Sequence, residues 1–117
     1  MSTMRKLIII LSICIVFCSC ASPRPWPKEE KVAAGYFCLA HAADYYTTNR
    51  MLNDPANWEE NPILGEHPSD STVTVYFSLT AIGALIVGHY WPDVRQPLFL
   101  GYGTLNASLA AHNTTLY

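Results

Sequence analysis

Charge is scarce in this chain: 14% of its 117 residues are Asp, Glu, Lys or Arg, against about 25% in ordinary soluble domains. A net charge of −2 leaves no basic face for nucleic acid and no polybasic membrane patch. Cysteine is confined to Cys14, Cys18 and Cys20 near the N-terminus and a solitary Cys38 in the body. That distribution excludes a disulfide framework and any redox or zinc motif, and Cys38 reads as a small packed hydrophobe. A glycine-rich phosphate loop is missing, and none of Ser69, Ser71, Ser78 and Ser108 stands in a nucleophile elbow. Adjacent Glu59 and Glu60 would point to different sides of a helix, which argues against a carboxylate dyad sharing a proton. No catalytic residue, metal site or cofactor is expected, and the chain is not read as an enzyme. Its length suits one small domain.

What the chain does have is apolar blocks. Arg5 and Lys6 precede Leu7 to Phe17, an almost wholly aliphatic run too short for a comfortable membrane span and arranged like a signal peptide. "VFCSCAS" then resembles a bacterial lipoprotein processing site, which implies cleavage after Ser19 and a diacylglycerol on Cys20. Phe17, three residues before Cys20, is less usual there. An uncleaved signal anchor and ordinary cleavage are the alternatives. Residues 1–19 are therefore read as signal peptide or anchor. Residues 20–31 are read as a lipid-anchored tether, because "SPRPWP" is too rich in proline for a helix. Lys28 to Lys31 resembles a charged helix start at a membrane surface.

Residues 32–117 form a single helical membrane domain in this reading. Val32 to Asn49 predicts a first helix, spanning only if Asp44 is tolerated within or near the interface. Ser71 to Trp91 carries no charge and has the length that crosses a roughly 30 Å hydrocarbon core. Tyr90 and Trp91 fall where an aromatic belt belongs. Pro92 to Arg95 reads as a tight polar turn, and Gln96 to Tyr117 as a third uncharged helix. Ala84 with Gly88, and Ala107 with Ala111, have the spacing that lets helices approach closely. A soluble bundle needs a polar face on each helix, and the second and third helices lack charge all round. Orientation stays open. A signal at the N-terminus places Arg24, Lys28, Lys31 and Arg95 outside and leaves Arg50 alone inside, against the positive-inside tendency.

Ionisable groups inside membrane helices are costly, face the bundle and often mark function. Here they are His41, Asp44, His89 and His112, with Asn106 and Asn113 as neutral partners. Asp44 shares a helix face with His41 and with Thr48. One reading joins Asp44, His41 and His89 as a proton relay or metal site. The plainer one is a hydrogen-bonded polar seam of His41, Asp44, Thr48, His89, Asn106 and His112.

Between the first two helices lies the acidic segment "NWEENPILGEHPSD". Pro62 and Pro68 bend it, Gly65 can adopt positive φ, and Ser69 or Asp70 can cap the next helix. Glu59, Asn61 and Gly65 are its candidate site residues. From Asp44 to the C-terminus the chain resembles a family of short, uncharacterised membrane proteins of bacteria and phages. The likeness rests on Asp44 and Thr48, then Glu59, Asn61, Pro62, Leu64, Gly65, Pro68 and Ser69, then Tyr76 and Phe77, and on the His112–Asn113 ending. Where the family places a glutamate in its last helix, this chain has Asn106. The resemblance implies a membrane-embedded helical protein and supplies no reaction.

The expectation is thus an all-α fold, a small bundle of about three transmembrane helices after a signal segment, in a bacterial membrane or cell envelope. Its role would be structural or interactive. Its partners would be the lipid bilayer and other membrane proteins or copies of itself, and not nucleic acid.

Overall fold

The computed structural model of the chain describes residues 23–117 and Ile8; the signal segment, with Cys14, Cys18 and Cys20, lies outside the described residues. Within them are three helices, α1 (Lys28–Leu52), α2 (Asp70–Tyr90) and α3 (Pro92–Asn113), and a closing 3₁₀ turn, Thr114–Leu116. No strand occurs among the described residues, so the all-helical expectation holds.

Each helix begins earlier than its apolar block. α1 starts directly after Pro27, with Glu29 and Glu30 in its first turn and Arg50 in its last, the polarity that a helix dipole favours. Lys28 to Lys31 is thus the charged helix start that its sequence suggested, and the tether drawn to residue 31 ends at Pro27. α2 is capped by Ser69, whose hydroxyl accepts from the Thr72 amide at 3.2 Å. The turn expected at Pro92 to Arg95 does not form. Those residues are the first turn of α3, with proline at N1, where a missing N–H costs nothing. Trp91 alone reverses the chain, at φ −123° and ψ 81°.

α1 and α3 form the principal interface, and α2 packs against both. Its centre is aromatic. Phe37 lies with its ring centroid 5.5 Å from that of Phe99 and 5.2 Å from that of Tyr102, and Trp26 stacks on Phe99 at 5.7 Å. Phe37 and Phe99 are wholly buried, with Ala33 and Ala84 beside them. Two glycines make room for these rings. A Cβ on Gly88 would lie 2.6 Å from Phe99 Cζ, and one on Gly103 would lie 2.7 Å from Tyr36 Cε1 and 3.2 Å from the Phe37 backbone. Of the expected small-residue pairs, Ala84 and Gly88 are buried at an interface, whereas Ala107 is half-buried and Ala111 exposed. Gly88→Ala should lower stability by about 1–3 kcal/mol, the usual cost of overpacking. Phe99 is held by Trp26 and Phe37 and cannot withdraw. The fall in the thermal midpoint, followed by circular dichroism, measures it.

By length and composition, α2 is the one described helix apolar enough to cross a membrane. α1 and α3 are less apolar along their length and fall short of the same test.

Candidate functional site

Two polar clusters occupy opposite ends of the bundle. At the end under the loop, Asp44 is 5% exposed, although no ion pair reaches it among the described residues. The helical spacing places Thr48 one turn on, and its hydroxyl donates to Asp44 Oδ1 at 3.3 Å. Thr47 donates to the Asp44 carbonyl at 3.2 Å. Both hydroxyl protons are thereby used, and their lone pairs face Asn113, near the end of α3. Asn113 Nδ2 donates towards Thr48 Oγ1 at 3.1 Å, Thr47 Oγ1 at 3.2 Å and Asp44 Oδ1 at 3.4 Å. Apart from the Thr47 hydroxyl on the Asp44 backbone carbonyl, every donor in this network goes to one carboxylate oxygen or to a hydroxyl.

The loop closes over this cluster. Asn61 accepts from the Ile63 amide at 3.0 Å through its side chain, and from Leu64 and Gly65 amides through its carbonyl. Gly65, at φ 80°, completes the turn. The Glu59 amide donates to the Glu66 carbonyl at 2.8 Å, and Glu59 Oε1 accepts the Asn61 amide at 2.9 Å. Leu64 is buried as the plug. Asn57 ties the loop to Met51 and Leu116 carbonyls at 3.1 and 3.0 Å. The result is a cavity of about 290 Å³, walled by Asp44 and Thr48 of α1, Glu59 and Asn61 of the loop, Tyr76 and Phe77 of α2, and Tyr102, Asn106 and Asn113 of α3. Asn106 is 1% exposed, and its Nδ2 donates to the Tyr102 carbonyl at 2.9 Å, which turns its Oδ1 away from the helix.

Asp44, Thr48, Asn106, Glu59 and Asn61, five of the residues singled out in the sequence, therefore meet in one place. His41 is buried one turn away. Its Nε2–H donates to the Phe77 carbonyl at 2.8 Å, with Thr80 Oγ1 at 3.3 Å, and its Nδ1 is the sole buried side-chain polar atom without a partner among the described residues. His89 does not join them. Phe77 is level with His41, and His89 lies twelve residues further along α2, roughly 18 Å of helix rise. His112 is exposed, and Gly65 serves the loop backbone.

The second cluster was not legible in advance. Arg95, read as a loop cation, is 0% exposed. Its five N–H donors meet five acceptors. Nε donates to Gly88 O at 2.6 Å, Nη1 to Glu30 Oε2 and to Pro25 O at 3.4 Å, and Nη2 to Arg24 O and His89 O, each at 3.3 Å. Its guanidinium carbon sits 4.1 Å from the centroid of Trp26, and Glu30 is shared with Arg24. This knot locks the start of the described chain to the α2–α3 reversal. With all five guanidinium donors satisfied, it is architecture.

No family model, curated protein or solved structure matches the chain. Function must be argued from the two ends and the surface between them.

Proposed function

We propose that the chain is a small integral protein of the bacterial cell envelope, its three helices embedded in a bilayer, with a structural or interaction role and no reaction of its own. The observation that carries this reading is a charge-free belt. Between Lys31 and Arg50 the one charged residue of α1 is Asp44, and it is turned inward. α2 exposes Val75, Leu79, Ile82 and Ile86, and α3 exposes Leu100, Leu105 and Leu109. The eighteen residues from Val32 to Asn49 rise roughly 27 Å, close to the ~30 Å of a hydrocarbon core. Water would meet this surface at high cost, while lipid matches it.

Lipidation of Cys20 after loss of residues 1–19 completes the proposal, as the "VFCSCAS" pattern suggests. Alkaline carbonate washing of membranes tests the embedding; release of the protein into the supernatant defeats it. For the anchor, the mature N-terminus should show the mass of a diacylglyceryl cysteine, lost in Cys20→Ala, and an unmodified Met1 would sink it.

The alternative, an intramembrane ion, proton or metal path through Asp44, His41 and His89, has weaker support because His89 stands at the far end. What is left of it is the cavity at Asp44.

A further inference from the structure

The loop-end cavity contains acceptors in excess. Among the described residues Asp44 Oδ1 takes both donors offered to that carboxylate, from Thr48 and Asn113, and Oδ2 takes none. Asn106 Oδ1 likewise takes none, its amide nitrogen being committed to Tyr102. Among the described residues the sole sealed polar atom without a partner is His41 Nδ1, so these two oxygens are not sealed; they open on the cavity that their residues line. Glu59 supplies a second carboxylate from the loop wall, with Oε1 on the Asn61 amide and Oε2 without a donor. A 95% buried carboxylate with no cationic partner among the described residues is unfavourable unless a proton or a cation joins it.

Size and wall chemistry choose the cation. About 290 Å³ is room for several waters, far more than a bare ion fills. Among the described residues no three His, Cys, Asp or Glu side chains are grouped to hold a metal ion. Tyr76, Phe77 and Tyr102 line the same space, and aromatic faces attract organic cations. A primary ammonium has three N–H donors, and three open oxygens stand here, on Asp44, Asn106 and Glu59.

We infer that the cavity binds a primary alkylammonium group, donating to Asp44, Asn106 and Glu59 with its short alkyl stem against Tyr76, Phe77 and Tyr102. The group could reach the protein as a free small amine or as an ethanolamine lipid headgroup, and the chemistry of recognition is the same. The cavity is complete within one chain, so the inference stands apart from the membrane proposal.

Calorimetric titration of the full chain in non-ionic detergent with ethanolamine tests the free-amine source. Sodium and tetramethylammonium at equal ionic strength serve as controls. Native mass spectrometry after release from vesicles of equal phosphatidylethanolamine and phosphatidylglycerol tests the headgroup source. Saturable ethanolamine binding, weakened at least tenfold in Asp44→Asn and severalfold in Glu59→Gln, supports the inference and names a free amine. Selective retention of phosphatidylethanolamine, lost in the same variants, supports it and names the lipid. Glu59→Gln lies on the half-buried loop and keeps the test decisive if Asp44→Asn does not fold. Equal binding of sodium or tetramethylammonium overturns it, as does binding unchanged in both variants. Absence of both ethanolamine binding and lipid selectivity overturns it too.

Discussion

Arg95→Leu should destabilise the protein by about 3–5 kcal/mol, the cost of leaving a buried charge without its partner. Glu30, 7% exposed, would keep only the contact with Arg24, itself half in solvent. The carbonyls of Gly88, His89, Pro25 and Arg24 would lose the donors that now reach them, and Trp26 would lose the cation over its ring. Restoring neutrality should recover much of the loss. The double variant Glu30→Leu/Arg95→Leu is expected to be more stable than Arg95→Leu alone, since replacing a buried pair by apolar groups is often neutral. Thermal midpoints of the four members of this cycle decide it. A double variant no better than the single would mean that the carbonyl contacts, and not the ion pair, hold this end together.

Leu79→Arg combined with Ile86→Arg should abolish membrane insertion while leaving the bundle contacts intact. Both side chains point outward, at 64% and 50% exposure, on one stripe of α2. In water such changes are nearly neutral, because neither residue packs against the core. At the centre of a membrane helix each arginine costs about 2.5–3.5 kcal/mol, so together they oppose insertion by roughly 5–7 kcal/mol. Quantifying the protein in washed membranes and in the soluble fraction reads the effect. Loss from the washed membranes into the soluble fraction is the expected result, and unchanged membrane recovery would remove the lipid-facing role from this stripe.

The helices were legible because charge gaps mark them, and the spacing of Asp44 and Thr48 announced one wall of the cavity. Other features were hidden for physical reasons. Pro92, Asp93 and Arg95 look like a turn because proline and charge usually mark one, yet proline at N1 begins a helix as readily as it breaks one. Arg95 finds its carboxylate 65 residues away in sequence and its other N-terminal partners 70 and 71 residues away, and no local pattern reports such contacts. Asn113 entered the Asp44 network because α3 runs back beside α1. Glu59 and Asn61 stood out through resemblance alone; their position against Asp44 depends on a loop path that only three-dimensional closure fixes. His89 was grouped with Asp44 by residue type, and helix rise separates them.

The guanidinium knot also works as a short leash. It fixes Arg24, which follows Cys20 by only four residue steps, no more than ~14 Å when fully stretched. An acyl chain on Cys20 would therefore hold the α2–α3 reversal at the leaflet it occupies, and the acidic loop would have to emerge on the other side. Burial of Arg95 beneath Glu30 removes one cation from the surface count at that end. Orientation would then be set by mechanical length, with loop charge a minor voice.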